Sequence, residues 1–341
     1  MVTIKEIAAM AGVSPSTVAN VLHGRTEKVS KATFEKVRML LAETNYTSNM
    51  AARILGNYDS RIIGVIVTWA RRDEQNIAQD PFFAEIIGKL EQNIRESGYY
   101  MMLYTSASVD EALKMAASWN IEGLIVLGCL ADDCAAFVKG TNMPIVFIDA
   151  YFHDDGLTYG NVGFQDFRGA FMMTEYLVSQ GHKRMAFLAD GAPPMGADFE
   201  RLKGFKASLQ KNDLAFQAGD YIPISHRREE RHALLRSLLK GRLMGFSALF
   251  FSSDFYAVDA MNLLQDEGVK VPGEMSVCGF DDNILAIQSR PKLTTVRQDV
   301  SKKASLATDL LIRQIKGKRV DSLEIQLEAS LSIRESIGRV L

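Results

Sequence analysis

Aromatic, hydroxyl and charged side chains recur where apolar runs end or amphipathic stretches begin. They are Phe82 and Phe83 in "DPFF", Arg201 in "RLKGF", Tyr221 in "GDY", Ser253 and Asp254 in "SSD", and Asp281 in "GFDD". An aromatic face combined with charged groups that bind paired hydroxyls suits a polyhydroxylated small molecule. The structural alternatives are core packing for one of the two phenylalanines and helix capping for Asp254.

The sequence lacks the common catalytic and metal-binding motifs. None of the patterns GxGxxG, GxxxxGK[ST] and GxSxG occurs, so it carries neither a phosphate loop nor a nucleophile elbow. The run "HRREERH" at 226–232 fits the solvated start of an amphipathic helix, and "FHDDG" at 152–156 fits a polar loop. Cys129, Cys134 and Cys278 lie in or beside apolar runs without metal-ligand spacing, so we interpret them as reduced packing residues. We therefore expect no enzyme activity, no metal and no cofactor.

The stretch "VSPSTVANVLHG", residues 13–24, offers a different chemistry. It has the build of a short helix, with Ser14 as cap, Pro15 at the first position and Gly24 as a stop, but it contains no Lys or Arg. A helix opened by the pair Thr3 and Glu6 precedes it, and a third helix follows from residue 30. Two short helices joined at a glycine and covered by a third indicate a helix-turn-helix, which reads DNA. Its predicted core consists of Ile4, Ile7, Ala8, Val13, Val18, Val21, Leu22, Val37 and Leu41.

Charge is distributed unevenly along the 341 residues. The formal net charge is -2, yet residues 1–57 hold seven Lys and Arg against four Glu, a net charge of +3, which leaves -5 for the remainder. This asymmetry favours a small head that binds a polyanion, attached to an acidic body. The polar start "MVTIKEIAAM" does not resemble a signal peptide, and no apolar run is long enough to span a bilayer. We expect a cytoplasmic protein without membrane contact.

The elements beyond residue 60 predict where the ligand-binding side chains come together. Seven apolar runs alternate with amphipathic stretches: "IIGVIV", "YYMMLY", "GLIVLG", "PIVFID", "RMAFLA", "SALFF" and "MSVCGF". Buried strands separated by helices indicate doubly wound parallel sheets, and this number of strands favours two sheets over one. Ligands of such sheets bind beyond the carboxyl ends of the strands. Before them, "SNMAARILGNYDSR" fits either a short helix capped by Ser48 or an ordinary linker.

Taken together, these segments resemble the LacI family of bacterial transcription regulators from residue 3 to residue 336. The resemblance rests on the order and spacing of "TIKEIAAMAGVSPSTVANVLHG", "VSKATFEKVRMLLAETNY", "NMAARIL", "DPFFAEIIGKLEQNIRESGY", "IEGLIVLG", "LVSQGHKRMAFLA", "GEMSVCGFDD", "PKLTTVRQ" and "LSIRES". It implies an α/β protein in which an all-helical helix-turn-helix head is joined by a hinge helix to a two-subdomain body like the periplasmic binding proteins.

The resemblance also implies domain limits. The head with its hinge helix (about 48–56) covers residues 1–57, and the effector-binding and dimerisation domain covers 60–341. Within that domain the N-subdomain takes about 60–161 and 293–321, and the C-subdomain takes about 162–292 and 322–341. The chain is thus expected to cross between subdomains near residues 161, 292 and 322.

The resemblance assigns roles at the DNA. Pro15, Ser16 and Asn20 take the positions that face base edges, with Asn20 where Arg is commoner. Asn suits adenine, so we expect an A·T pair opposite it, although Asn20 could instead be a solvent-exposed residue without a role in specificity. The expected phosphate contacts are Thr3, Ser14, Thr17, Arg25, Tyr46 and Arg53, with Lys5, Lys28, Lys31 and Asn45 as further candidates. Asn49 and Ala52 match residues of the hinge that lie alongside its leucine. Leu55 matches the leucine that the family inserts into the minor groove. Ser48 stands where the family has proline.

At the effector end, Arg201 and Asp281 match charged residues that family members direct at the effector. The insertion "TWARRDEQNIAQD", thirteen residues at 68–80, replaces a shorter spacer, and its Trp69, Arg71 and Arg72 either reach the ligand or lie on the surface.

The function implied is a repressor that binds a pseudopalindromic operator as a homodimer under control of a sugar-like effector. Since five residues follow "LSIRES" without a heptad segment, a dimer is favoured over a tetramer. A protein co-repressor on the N-subdomain stays possible. A transport binding protein would share the body without the head, and an enzyme would need the motifs that are missing.

Overall fold

The chain divides into two compact units, Met1–Ser60 and Arg61–Leu341. The structure, a computed structural model, describes residues 2–22, 25–44, 46, 59–68, 77–106, 108–152, 159–241, 245–319 and 323–340. In these parts of the chain, no helix is long and apolar enough to cross a membrane.

The described residues of the first unit form three α-helices, α1 Ile4–Ala11, α2 Pro15–Leu22 and α3 Lys31–Glu43. The predicted capping box is confirmed, because the Thr3 hydroxyl accepts from the Glu6 backbone N–H at 3.3 Å and the Glu6 carboxylate accepts from the Thr3 N–H at 2.8 Å. Gly12 ends α1 in the left-handed conformation, with φ of 68°. Ser14 Oγ accepts from the Thr17 N–H at 3.2 Å, which supplies the predicted cap of α2.

The core of this unit follows the predicted pattern. Six side chains are buried, namely Ile7, Ala8, Ala11, Val18, Val21 and Val37, with Ile4, Val13, Leu22 and Leu41 packed partly buried around them. All the predicted core positions are therefore in contact, and Ala11 adds to them. Because Val18 and Val21 fix the inward face of α2, Ser16 and Asn20 lie on its opposite face, one turn apart.

In the part of the second unit that the structure describes, the strands form two six-stranded sheets. The first sheet runs β11–β5–β4–β3–β1–β2 and the second runs β12–β10–β9–β8–β6–β7. Neighbouring strands are parallel except β10 and β12. The strands are β1 Ile62–Val67, β2 Tyr100–Thr105, β3 Gly123–Leu127, β4 Ile145–Ile148, β5 Gly160–Phe164, β6 Met185–Asp190, β7 Tyr221–Ile224, β8 Ala248–Phe251, β9 Ser276–Asp281, β10 Thr294–Arg297, β11 Glu324–Leu327 and β12 Ser330–Ser332.

Helices follow most strands and pack against the sheets, as a doubly wound fold requires. They are α4 Pro81–Glu96, α5 Val109–Ser118, α6 Ala131–Gly140, α7 Asp166–Ser179, α8 Gly196–Lys211, α9 Arg228–Lys240, α10 Asp254–Asp266, α11 Ile284–Gln288 and α12 Val300–Ile315. We call the first sheet with α4, α5, α6 and α12 the first lobe, and the second sheet with the other helices the second lobe. Cys129, Cys134 and Cys278 are unpaired and buried between strands and helices, in agreement with the packing role predicted.

Followed through its described strands, the chain crosses between the lobes three times, each time later than predicted. Strand β5 belongs to the first sheet, so the first crossing follows Phe164 instead of residue 161. Strand β10 belongs to the second sheet, which moves the second crossing from 292 to beyond Arg297. The third lies between Leu327 and Ser330 instead of near 322, because β11 still pairs with β5. These strands are short and carry polar residues, so the apolar pattern did not mark them.

Candidate functional site

A cavity of about 330 Å³ lies between the lobes of the second unit, where strands of both sheets end. From the first lobe it is lined by the segments after β3 and β4, including Cys129, Asp149 and Tyr151. From the second lobe it is lined by the residues that end or follow β6, β8 and β9. This position agrees with the rule that open parallel sheets bind ligands beyond their carboxyl ends.

Five of the seven small-molecule residues predicted from the sequence line this one cavity: Phe82, Phe83, Arg201, Ser253 and Asp281. The two phenylalanine rings meet edge to face, with centroids 5.4 Å apart. Phe83 is 8% exposed and also belongs to the first-lobe core, whereas Phe82 is half-buried. Asp80 caps their helix by accepting from the Phe82 N–H at 2.9 Å, so the rings enter the cavity on the first turn of α4.

Arg201 is held rigidly in the second-lobe wall. Its Nε donates to Asp166 Oδ1 at 2.7 Å and its Nη1 donates to the Ser252 carbonyl oxygen at 2.5 Å. The guanidinium carbon lies 3.7 Å from the centroid of the Phe280 ring. Burial alone lowers the pKa of Arg201, but the carboxylates of Asp166 and Asp281 raise it above its ordinary value. The side chain is therefore a fixed cation that can donate to ligand oxygens.

A second set of cavity residues was missed by the sequence reasoning. Asp149 follows β4, and both of its carboxylate oxygens accept from Lys303 Nζ at 2.7 Å. Lys303 also donates to Gln298 Oε1 at 2.9 Å, and Gln298 Nε2 donates to Asp281 Oδ1 at 2.6 Å. Burial raises the pKa of Asp149 while Lys303 opposes the rise, and burial raises the pKa of Asp281 well above its usual range. The sequence did hold a signal for Asp149, since this residue directly follows the apolar run "PIVFI" as Asp281 directly follows "MSVCGF".

Tyr151 links the first-lobe wall to Arg201. Its hydroxyl donates to Asp166 Oδ2, the carboxylate that also accepts from Arg201. Burial raises the pKa of Tyr151 well above its ordinary value, with the negative charges of Asp166 and Asp149 adding to the effect. The phenol therefore stays protonated and acts as a neutral hydrogen-bond donor.

Two predicted residues do not reach the cavity wall. The Tyr221 hydroxyl donates to the carbonyl oxygen of Gly191, the residue that follows β6. Of these two residues, Gly191 lines the cavity and Tyr221 does not. Asp254 is fully buried and accepts from the Thr295 hydroxyl at 2.5 Å and from the Asn283 N–H at 3.0 Å.

Asp254 does not cap its helix either. The cap is Ser253, whose hydroxyl accepts from the Tyr256 N–H at 3.4 Å. Asp254 points inward over Gly279, where a Cβ would lie 2.3 Å from Asp254 Oδ1. Burial raises the pKa of Asp254 to about 7. Its position at the start of a helix after a strand could not reveal that it points inward.

The α2 helix of the first unit presents neutral hydrogen-bonding groups. Ser14, Pro15 and Ser16 are exposed, and Thr17 and Asn20 are half-buried. The Ser14 hydroxyl lies 2.7 Å from that of Ser16 and 2.9 Å from that of Thr17. Thr3, Arg25, Lys5, Lys28 and Lys31, all exposed, supply hydroxyl and positive groups elsewhere on this unit, and Tyr46 is half-buried.

Comparison with known proteins decides the family. Residues 3–49 match bacterial regulatory proteins of the lacI family, and residues 174–337 match the periplasmic binding protein-like domain. The ribose operon repressor of Haemophilus influenzae is 28% identical over 341 residues, covering 99% of both chains. A transcriptional repressor PurR of Histophilus somni is 29% identical over 353 residues, also covering 99% of both chains. The chain belongs to the LacI family. It is a DNA-binding transcription regulator, and these relatives are repressors, not enzymes.

Solved structures of LacI-family regulators share the fold of this member over nearly its whole length. The Lac repressor dimer bound to operator and the anti-inducer ONPF has a TM-score of 0.82 at 25% identity, covering 98% of each chain. The complex of the regulator CelR with cellobiose has a TM-score of 0.71 at 25% identity, covering 98% of this chain and all of the other. The predicted α/β architecture, with a helical head and a periplasmic-binding-protein-like body, is confirmed.

Several predicted contacts of this LacI-family member lie outside the described residues. They are Asn45, Asn49, Ala52, Arg53 and Leu55 near and within the hinge segment, Trp69, Arg71 and Arg72 of the insertion, and residues 153–156 of "FHDDG". The run "HRREERH" does begin α9 as predicted, but Arg231 is buried and donates to Asp259 Oδ2 at 2.7 and 3.0 Å, so it belongs to the packing of α9 on α10.

Proposed function

We propose that this LacI-family protein is a repressor that binds a pseudopalindromic operator as a homodimer and is controlled by a sugar-like effector in the cavity between the lobes. The observation that carries the effector assignment is the convergence of Phe82, Phe83, Arg201, Ser253 and Asp281 on one cavity. The CelR structure, which holds cellobiose, and the relative that represses a ribose operon support a sugar as the ligand class.

The wall chemistry suits a ligand rich in hydroxyls. Arg201 donates hydrogen bonds, while carboxyl oxygens of Asp149 and Asp281 can accept them, so each ligand hydroxyl can meet both kinds of partner. The rings of Phe82 and Phe83 offer an apolar face for the C–H side of a sugar ring. Ser253 adds a hydroxyl at the start of α10.

A thermal-shift screen of sugars, including D-ribose and cellobiose, tests the effector assignment. A ligand present at 100 times its Kd should stabilise the protein by about 2.7 kcal/mol. Arg201→Met should abolish the shift, whereas Lys206→Met, a change of an exposed residue on the same helix, should preserve it. A shift that survives Arg201→Met would contradict the placement of the ligand. Operator affinity with and without each binding sugar then shows whether the effector releases the DNA complex or tightens it.

At the DNA, we propose that Ser16 and Asn20 read base edges while flanking groups hold the phosphates. Thr3, Ser14, Thr17, Arg25, Tyr46 and Arg53 are the proposed phosphate contacts. Pro15 faces the base edges beside Ser16, and Leu55, with Asn49 and Ala52 beside it, enters the minor groove. Asn is suited to adenine N6 and N7, and Arg is suited to guanine O6 and N7.

Selection of binding sites from random DNA tests the assignment of Asn20. The protein should select A·T opposite residue 20, and Asn20→Arg should change that preference to guanine, a discrimination worth about 1–3 kcal/mol. Lys31→Arg, an exposed change at the start of α3, serves as the control and should leave the selected sequence unchanged. A strong guanine preference in the unaltered protein would overturn the assignment.

A further inference from the structure

Lys303 is a fully buried lysine beside the cavity. Its side chain is 0% exposed on α12, directly after the exposed Lys302. Its Nζ lies 2.7 Å from each Asp149 carboxylate oxygen and 2.9 Å from Gln298 Oε1, so three acceptors match the three N–H donors of an ammonium group. A charge is buried only at high cost unless such partners compensate it. Lys303 is therefore built into this position and is not a surface lysine that happens to point inward.

The bonds of Lys303 continue to the opposite wall of the cavity. An ammonium group can only donate, so the carbonyl oxygen of Gln298 must face Lys303 and its amide nitrogen must face away. That nitrogen donates to Asp281 Oδ1 at 2.6 Å. Asp149 follows β4 of the first lobe, and Asp281 ends β9 of the second. The chain Asp149–Lys303–Gln298–Asp281 thus joins one cavity-lining carboxylate from each lobe.

We propose that Lys303 is a positioning residue that holds the two walls of the effector cavity at a fixed separation. Without Lys303, Gln298 would lose the partner that fixes its orientation, and the hydrogen-bonded link between Asp149 and Asp281 would be broken. A ligand that bridges the lobes then meets walls that are already spaced for it. The inference rests on the proposed effector function of the cavity, but the separation of the lobes can be measured without any ligand.

Single-molecule energy transfer across the cavity tests the role of Lys303. Dyes are attached to cysteines introduced at two exposed positions, Asp132 on α6 and Lys203 on α8. The three native cysteines are buried, which directs labelling to the new ones. A small amount of labelled chain is mixed with excess unlabelled chain, so that any dimer carries a single dye pair. The variants are Lys303→Met and, as the matched control, Lys302→Met.

The unaltered protein and Lys302→Met should give one narrow distance distribution. Lys303→Met should raise the ratio of widely separated to closely separated lobes roughly tenfold or more, since hydrogen bonds to charged groups are strong. The double variant Asp149→Asn with Lys303→Met leaves no unpaired carboxylate at position 149, so it serves as the test if Lys303→Met alone does not fold. It should show the same wide separation of the lobes.

Three results are decisive. An unchanged distribution in folded Lys303→Met would overturn the proposal. A double variant that regains the narrow distribution would also overturn it, because repulsion at Asp149 and not the loss of the bridge would then be the cause. A sugar screen in which no sugar binds would contradict the proposed effector function. The role of Lys303 would still be decided by the lobe separation, which is measured without a ligand.

Discussion

Asp254 provides a test of the electrostatics of the second lobe. The carboxyl group is fully buried, accepts from Thr295 and Asn283, and lies over the backbone of Gly279. Burial raises its pKa from 3.8 to about 7. Asp254→Asn keeps the volume of the side chain and its acceptor for Thr295 while removing the titration.

The direction of the pH effect follows from the raised pKa. Between pH 4 and pH 7 the folded protein keeps a proton on Asp254 that the unfolded chain has lost, so the free energy of unfolding falls as pH rises through this window. A shift from 3.8 to about 7, at about 1.36 kcal/mol for each pH unit, corresponds to about 4 kcal/mol. Above pH 7 the contribution is constant. The free energy of unfolding of Asp254→Asn should not show this fall, because the amide does not titrate.

Urea denaturation at several pH values measures the effect. The stability of Asp254→Asn relative to the unaltered protein should improve by about 4 kcal/mol from pH 4 to pH 8. Glu175→Gln is the control, because hydrogen bonds from Lys211, Ser208 and Asn212 outweigh burial and lower the pKa of Glu175. Stability from a lowered pKa is lost only as pH falls through it, so this control should give a constant offset from pH 5 to pH 8. A constant offset for Asp254→Asn over the whole range would refute the reasoning.

Two further substitutions test the cavity wall and the DNA-binding end independently of each other. Arg201→Met should destabilise the protein by about 3–5 kcal/mol in denaturant titrations, because it leaves the Asp166 carboxylate, 1% exposed, without its cation. Adding Asp166→Asn should recover part of that loss, and an unaltered midpoint for Arg201→Met would contradict the assigned ion pair. Leu55→Ala should weaken operator binding in a gel-shift titration while sugar binding is unaffected, and unchanged operator affinity would exclude its insertion into the minor groove.

Local rules predicted the elements of the first unit well. The Thr3 and Glu6 capping box, the Ser14 cap and the inward face of α2 all depend on residues within a few positions of one another. Short-range hydrogen bonds and a 3.6-residue period are properties that a sequence displays directly.

Apolar content largely separates the strands that were predicted from the sequence from those that were not. All seven predicted runs form strands, β1 to β4 together with β6, β8 and β9. Strands β5, β7, β10, β11 and β12 were not predicted. "GNVGF", "TTVR", "EIQL" and "SLS" contain three to five residues and few large apolar ones, and "YIPI" contains four residues, one of them proline. Their conformation is set by the strands beside them, which a local pattern does not show.

The cavity residues illustrate the same limit at the level of single side chains. Lys302 and Lys303 are adjacent and chemically identical, yet one is exposed and the other is fully buried against Asp149. Asp254 and Asp281 both occur where a strand ends, but only Asp281 reaches the cavity. The direction of a side chain depends on what packs around it, and the partners of these residues are distant in the sequence.

The outer strands β11 and β12 have a consequence for synthesis of the protein. Residues 324–332 complete the edges of both sheets, since β11 pairs with β5 and β12 pairs with β10. Until those residues leave the ribosome, the nascent chain exposes the open edges of β5 and β10, and unpaired edges are sites of aggregation. Both sheets therefore stay incomplete until residues 324–332 have been made, and a ribosome that stalls before residue 324 leaves two incomplete sheets for chaperones to protect.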